Sequence, residues 1–161
     1  MEGKKKTNPR AILVFGAPGS GKTVFCKNFS KRFKAPYYNL DELRDQFDFS
    51  QTQITVLIKA ILKTKQNIII EGGLDTEASR KTLYKICKAS NYDSSLIWIQ
   101  TDVNTIKSRL KMRLKSASKA KEDYESRVRE MEAPSDSEKP IILSGKHTFE
   151  SQLSQVLSQL A

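Results

Sequence analysis

GAPGSGKT, residues Gly16 to Thr23, directly follows the apolar run AILVF of residues 11–15. A short apolar run that ends in a glycine-rich turn is typical of a strand buried on both faces of a parallel sheet. Glycines permit backbone conformations closed to other residues, so consecutive N–H groups can point at one anion, and a helix that starts there adds its positive end. The stretch therefore predicts a nucleotide-phosphate loop between a strand and a helix.

The loop also indicates which side chains contact the nucleotide. Lys22 can reach the β- and γ-phosphates, and the hydroxyl of Thr23 can ligate magnesium. A turn with an incidental lysine is the alternative, and it does not explain the combined spacing and placement. We expect ATP and Mg2+ as cofactors, and the chain lacks the Asn-Lys-x-Asp pattern that reads guanine. The predicted nucleotide-binding residues are Gly16, Ala17, Pro18, Gly19, Ser20, Gly21, Lys22 and Thr23.

Strands and helices are predicted to alternate along the rest of the chain. The first helix runs from about Gly21 to Phe33, the second opens with Asp41 as its cap, and ITVLIKAILK continues in helical register. A helix over residues 75–90 has an acidic first turn and a basic last turn, and a basic helix begins near Val103. Further strands are predicted at residues 35–40, 67–73, 94–100 and 139–143. This alternation predicts an α/β fold, with a parallel sheet covered by helices on both faces.

Two of the predicted helices carry apolar residues at helical spacing. In the first helix these residues are Val24, Phe25, Phe29 and Phe33, and their spacing predicts the helix. In the last helix, which begins near His147, Phe149, Leu153, Val156, Leu157 and Leu160 share one face, and this stripe is predicted to pack in the core.

Composition bounds the class of protein. A chain of 161 residues is about one domain long, and no window is apolar enough to cross a membrane. Two cysteines, Cys26 and Cys87, and a single histidine, His147, make a disulfide scaffold or a zinc site improbable and favour a reducing, cytoplasmic setting. We expect one domain over residues 1–161, with a basic tail at residues 1–9, and a monomer.

The charge of the chain suggests an anionic partner. Lysine and arginine outnumber aspartate and glutamate by 28 to 18, for a net charge of +10. Nucleotide, nucleic acid or a phosphorylated metabolite would suit this charge, and a solvated lysine-rich surface is the alternative. Residues 107–129 hold nine basic and three acidic side chains, so this segment requires an explanation of its own.

Four residues near the predicted sheet edge are candidates for acceptor binding. Asp41 follows the second strand, at the edge where ligands of open α/β sheets bind, and Arg44 lies one helical turn later. A carboxylate there can accept the proton of an attacking hydroxyl, while a guanidinium holds a phosphate on the acceptor; a helix cap with a surface arginine is the alternative. Glu71 ends the third strand beside paired glycines, where it can orient the acceptor or water bound to magnesium. Arg80 is either substrate-facing or a surface residue, with surface slightly favoured.

The basic segment RLKMR contains two arginines at lid positions. Arg109 and Arg113 are four residues apart, share one helix face, and can neutralise charge on the transferring phosphoryl group while excluding water. A solvated basic face is the alternative. We prefer that alternative for five lysines of the segment, Lys107, Lys111, Lys115, Lys119 and Lys121.

These motifs together resemble those of the P-loop kinase superfamily, ATP-binding kinases of the AAA type, and most closely the polynucleotide 5'-kinase domains. The resemblance rests on GAPGSGKT, DELR, IIIEGGLDTEASR and RLKMR, in that order. It implies a three-layer αβα P-loop NTPase fold, a five-stranded parallel sheet of order 2-3-1-4-5, and a short helical lid at about residues 107–131. It also implies that Asp41 is the general base, Arg44 the ligand of an acceptor phosphate, and Arg109 and Arg113 the lid residues that act in catalysis with Lys22.

The expected function is a magnesium-dependent transfer of the γ-phosphoryl group of ATP to a hydroxyl, on a nucleic-acid 5' end or a small molecule. A nucleoside monophosphate kinase is the second candidate, because adenylate kinases share GAPGSGK and DELR, although EGGLDTEASR replaces the Gly-Phe-Pro-Arg segment expected of them. A non-catalytic nucleotide-binding or RNA-associated module is the candidate from another class. The acceptor is thus expected to be a small molecule, a nucleotide or a nucleic acid.

Overall fold

A parallel sheet forms the centre of the molecule. The computed structural model describes residues 7–160, so residues 1–6 of the predicted basic tail lie outside the described range. Within that range the sheet has five strands in the order β2-β3-β1-β4-β5, which confirms the predicted order. The strands are β1 (Arg10–Phe15), β2 (Tyr37–Asn39), β3 (Ile68–Glu71), β4 (Asp93–Gln100) and β5 (Ile141–Ser144).

Helices connect the strands and cover the sheet. None of those in residues 7–160 is both long enough and apolar enough to span a bilayer. The helices are α1 (Lys22–Phe33), α2 (Leu40–Phe47), α3 (Gln51–Leu62), α4 (Glu77–Ala89), α5 (Val103–Leu114), α6 (Ala117–Val128) and α7 (Phe149–Leu160), with a 3-10 turn at Asp136–Glu138.

The core lies on both faces of the sheet because side chains alternate along each strand. On one face, Ala11, Leu13 and Phe15 of β1 pack with α3 and α4. On the other face, Ile12 and Val14 pack with α1 and α7. The predicted three-layer α/β architecture is therefore confirmed. The two cysteines are buried on opposite faces of the sheet, Cys26 from α1 and Cys87 from α4.

Local capping differs from the prediction at the second helix. Asp41 does not cap it: the helix begins earlier, and the Asn39 side chain accepts a hydrogen bond from the Glu42 amide. Asn and Asp are similarly good caps, so the sequence favoured the wrong one of two nearby candidates. ITVLIKAILK belongs to the separate helix α3, which follows a break at Asp48 and opens with a capping box of Ser50 and Gln53.

The apolar stripes of α1 and α7 are only partly buried. In α1, Val24 is 66% exposed and Phe33 is 43% exposed, while Cys26 joins Phe25 and Phe29 in the core. In α7, Leu157 is exposed, and Gln152 is buried because its amide donates to the backbone carbonyl of Ser144 at the end of β5.

Both predictions for Arg80, a substrate-facing residue or a surface residue, are wrong because the side chain is buried within the fold. Its side chain is fully buried and forms an ion pair with Glu138, with Nε 2.7 Å from Oε1. Its Nη1 donates to the carbonyls of Leu74 and Glu132, and its guanidinium lies over the ring of Phe15. Arg80 thus ties α4 to the segment that leads from α6 into β5.

Removing one partner of this buried pair should strongly destabilise the fold. Arg80→Met alone, or Glu138→Leu alone, should lower the free energy of unfolding by about 3–5 kcal/mol, because each leaves an uncompensated buried charge. The double variant should recover much of the loss. Urea denaturation followed by circular dichroism measures these values. Lys81→Ala, which breaks an exposed pair with Glu77, is the control and should leave the unfolding free energy nearly unchanged.

Candidate active site

The carboxyl ends of the strands bring the predicted site residues to one edge of the sheet. The phosphate loop follows β1, Asp41 follows β2, and Glu71 ends β3. Gly19 and Gly21 adopt positive φ angles of 77° and 101°, a conformation that side chains disfavour. Gly21 also caps α1, so the loop runs directly into the amino end of that helix. The predicted sequence of strand, loop and helix is therefore present.

The phosphate loop is held from outside by the ends of β4 and β5. Thr101 donates its hydroxyl to the carbonyl of Ser20 at 3.0 Å, and the Gly145 amide donates to the carbonyl of Gln100 at 2.7 Å. A Cβ atom on Gly145 would overlap both the Ser20 carbonyl and the Thr101 hydroxyl. This packing was not predicted, and the only signal for it in the sequence is SGK after the fifth strand.

Arg109, which was predicted to face the phosphates, also holds the phosphate loop in place. Its Nη1 donates to the carbonyl of Gly19 and its Nη2 to the carbonyl of Gly145, both at 3.0 Å. The guanidinium therefore bridges the phosphate loop and the loop after β5. It also lines the adjoining cleft, so one face remains available to an anion.

A large cleft opens in front of the loop. It has a volume of about 830 Å³ and contains the loop residues Gly19, Gly21, Lys22 and Thr23. Lys22 makes only a long contact, 3.5 Å from Nζ to the carbonyl of Ala17, so its charge is available to a phosphate. Three side chains at the start of α7 and just before it extend the wall of the cleft, namely His147, Phe149 and Gln152.

Glu71 is buried behind the loop and contacts the hydroxyl of Thr23. It is 2% exposed, and its Oε1 accepts a hydrogen bond from Thr23 Oγ1 at 2.6 Å. The other oxygen accepts from the hydroxyl of Tyr37. Burial and these bonds to Glu71 raise the pKa of Tyr37, so the phenol stays protonated and remains a donor. Because Thr23 uses its proton on Glu71, the lone pairs of its oxygen are left for a metal ion.

Asp41 is positioned by a close approach of the backbone. Its Oδ1 accepts a hydrogen bond from the Gly73 amide at 3.1 Å. A Cβ atom on Gly72 would lie 2.6 Å from the Asp41 carboxyl carbon, so the paired glycines leave the space that the carboxylate occupies. Arg44 lies on the same side of α2, with Nη1 3.8 Å from Asp41 Oδ1. The structure therefore brings Asp41 and Arg44 together as predicted.

A smaller pocket also contains Lys22 and Asp41 in its wall. Its volume is about 330 Å³, and it lies between the phosphate loop, α2 and the end of α6. Four of its charged residues were not predicted: Asp45, and also Asp75, Arg127 and Glu130, which come from segments distant in sequence. Desolvation and the like charge of Asp41 raise the pKa of Asp75, although this side chain is exposed.

The two helices predicted as a lid stand over these pockets. Ile106 and Leu110 of α5 pack with Ala120 of α6. Arg113 lines the large cleft, and its Nη2 lies 3.6 Å from Asp123 Oδ2 on α6. Four of the five lysines assigned to a solvated face are exposed, while Lys107 is half-buried and lies over the ring of Tyr124.

Comparison with known proteins identifies the family and the fold. Residues 12–135 match a protein family described as AAA domain. A search of curated protein sequences found no match. The structure is similar to a gluconokinase from Sinorhizobium meliloti 1021, with a TM-score of 0.72 and 13% identity, covering 96% of this chain and 93% of that chain.

Two further solved structures share the fold. The Mycobacterium tuberculosis APS kinase CysC, in complex with AMPPNP and APS, has a TM-score of 0.71 and 14% identity, covering 95% of this chain and 98% of that chain. A chain of the Pnkp1/Rnl/Hen1 complex has a TM-score of 0.55 and 20% identity, covering 64% of this chain and 39% of that chain. At these identities the likeness shows the fold, which is the P-loop kinase fold predicted from the motifs.

A side chain at residue 145 should impair nucleotide binding. Gly145→Ala should weaken binding of Mg-ATP about tenfold or more, because the new methyl group must displace the backbone of the phosphate loop at Ser20. Isothermal titration calorimetry measures the affinity. Ser144→Ala, one residue earlier, is the control and should bind with nearly unchanged affinity. Equal affinities for Gly145→Ala and the parent chain would show that the loop does not depend on this contact.

Proposed function

The chain belongs to the AAA domain family, and from this premise we propose that it is a kinase that transfers the γ-phosphoryl group of ATP to a hydroxyl of an acceptor. One observation carries the proposal. Lys22 and Asp41 are among five residues that line both the large cleft and the smaller pocket, the others being Pro18, Asp45 and Arg127, so the two spaces meet there. A donor phosphate in the cleft and an acceptor hydroxyl in the pocket would therefore face each other between a cation and a carboxylate.

The donor nucleotide would occupy the large cleft. The amides of the phosphate loop and the amino end of α1 would hold the phosphates, with Lys22 between their oxygens. Arg109 fixes the loop by its bonds to Gly19 and Gly145, and its remaining face would stabilise charge on the transferring group. Nucleotide binding is supported by the fold shared with an APS kinase that was solved with AMPPNP.

Magnesium would be held at Thr23, and the described residues fit this role. Thr23 lines the cleft, and because its proton is donated to Glu71, its oxygen lone pairs would be available to the ion. Glu71 would act behind Thr23, as the group that orients it and adds negative charge close to the ion. When bound, the ion neutralises charge on the β- and γ-phosphate oxygens.

Asp41 would be the general base. Gly73 and Arg44 hold its carboxylate at the junction of the two pockets, where it would accept the proton of the attacking hydroxyl. The hydroxyl oxygen would form a bond to the γ-phosphorus while the bond to the β–γ bridging oxygen breaks, which releases ADP. Most of the rate enhancement would come from positioning and charge stabilisation, because the loose transition state needs little covalent assistance.

Replacing the proposed base should separate binding from catalysis. Asp41→Asn should retain Mg-ATP affinity within about threefold and lower the turnover number by about a hundredfold or more, because the amide cannot accept the proton. Transfer from radiolabelled ATP to nucleosides, nucleotides, sugars and 5'-hydroxyl oligonucleotides measures turnover. Asp48→Asn, at the exposed end of α2, is the matched control and should retain activity.

The same assay distinguishes a kinase from a non-catalytic nucleotide-binding module. If Asp41→Asn transfers phosphate as fast as the parent chain to every acceptor that the parent uses, Asp41 is not the base. If the parent chain forms no phosphorylated product, and hydrolyses ATP no faster than Lys22→Ala, the kinase proposal is wrong.

The magnesium role of Thr23 can be tested by removing its hydroxyl. Thr23→Val should raise the magnesium concentration required for half-maximal activity about tenfold or more, because the isosteric side chain has no oxygen ligand. Thr23→Ser keeps the oxygen and should remain close to the parent. A magnesium titration at saturating ATP measures both, and an unchanged requirement in Thr23→Val would exclude Thr23 as a ligand.

A further inference from the structure

We infer, on the basis of the proposed kinase function, that the acceptor is a small polyhydroxyl molecule that carries an ammonium group and no phosphate, such as an amino sugar. The inference concerns the smaller pocket, whose position beside Lys22 and Asp41 makes it the acceptor side of the proposed site. It rests on three properties of that pocket: its size, the prior pairing of its arginines, and the surplus of carboxylates in its wall.

The size of the pocket suits one small ring. Its volume of about 330 Å³ is at the lower end of the range for small-molecule sites, about 300–1,000 Å³. The phosphate loop closes it on one side through Gly16 and Pro18, and the end of α6 closes it on another through Ser126 and Met131. A compact acceptor would place one hydroxyl at Asp41 and the rest of its ring against these walls.

The arginines of the pocket already have carboxylate partners. Arg44 pairs with Asp41 at 3.8 Å, and its Nη2 also donates to the side chain of Gln51. Arg127 pairs with Asp123, with Nε 3.1 Å from Oδ1. A phosphate on the acceptor would have to compete for both guanidinium groups. The third cation, Lys22, is assigned to the donor.

The carboxylates of the pocket outnumber the cations that remain. Four carboxylates line it, those of Asp41, Asp45, Asp75 and Glu130, against the two arginines once Lys22 is assigned to ATP. Within residues 7–160, no lysine or arginine lies within ion-pair distance of the last three. An ammonium group would meet this surplus of negative charge, and hydroxyl groups would hydrogen-bond to it.

The neighbourhood of Asp75 supports a cationic ligand. Desolvation and the negative charge of Asp41 raise its pKa, and the charges of Lys22, Arg44 and Arg127 offset only part of this shift. An ammonium group in the pocket would stabilise the charged form of Asp75 further. An acceptor phosphate, or the phosphates of an oligonucleotide, would add negative charge to a site that already has an excess.

A matched series of acceptors tests the inference. D-glucosamine, D-glucose and D-glucose 6-phosphate share a ring and differ in charge, and each is titrated against the parent chain with Mg-ATP at pH 7. Product formation and ATP hydrolysis are both followed, because a compound that occupies the pocket also changes hydrolysis. The concentration that gives half of the maximal effect on ATP turnover should be lowest for glucosamine, higher for glucose and highest for glucose 6-phosphate. The first and last values should differ by about tenfold or more.

Two variants test whether the preference for glucosamine arises from the smaller pocket. The double variant Asp75→Asn with Glu130→Gln should reduce the preference for glucosamine over glucose to near unity, because it removes two of the unpaired carboxylates. Glu125→Gln removes an exposed carboxylate elsewhere on α6, where it pairs with Lys121, and should keep the preference of the parent.

The possible results separate failure of the acceptor inference from failure of the kinase proposal. The inference is overturned if glucose 6-phosphate is the most effective compound, if the double variant keeps the full preference, or if none of the three compounds changes ATP turnover that depends on Lys22. In those cases the kinase proposal is decided separately, by the formation of phosphorylated product from the nucleosides, nucleotides, sugars and oligonucleotides used to test Asp41→Asn. If the parent chain turns over no more ATP than Lys22→Ala with any compound, the kinase proposal fails and the inference fails with it.

Discussion

Close packing of backbone against backbone at the end of the sheet determines the conformation of the phosphate loop. A Cβ atom on Gly16 would lie 2.6 Å from the carbonyl of Ile99, and Gly145 has no room for a Cβ atom beside Ser20. The loop is therefore fitted between the ends of β4 and β5 before any ligand binds. Thr101 and Arg109 add hydrogen bonds to its carbonyls. The conformation of this loop thus depends on strands that are distant from it in sequence.

The parallel sheet could be predicted from the sequence because its central strands are buried on both faces. Such strands read as uninterrupted apolar runs, as in residues 11–15, and glycines or polar residues mark their ends. Helix faces were harder to predict. Val24 and Phe33 repeat at helical spacing but lie at the exposed border of α1, where periodicity alone cannot show how wide the buried stripe is. The cap of α2 was misplaced because Asn39 and Asp41 offer similar chemistry two residues apart.

Site residues were predictable only where a local motif contained them. Lys22, Thr23, Asp41 and Arg44 lie in short patterns next to strand ends, and the structure brings them to one edge of the sheet. The partner of Arg80 is 58 residues away, so nothing near Arg80 in the sequence showed that it would be buried. Asp75 and Glu130 form one pocket from two distant loops for the same reason. Long-range pairing decides these roles, and a single sequence does not contain that information.

The net charge of the chain and the charge of the smaller pocket favour different ligands. Lysines of α5 and α6 do not line the pocket, and salt weakens the effect of exposed charges that a ligand does not contact. Lys111, Lys115 and Lys119 are of this exposed kind. An acceptor responds to the groups that it touches, and there the carboxylates are in excess. The surplus of positive charge would attract a nucleotide to the protein, whereas the proposed choice of acceptor would depend on Asp45, Asp75 and Glu130.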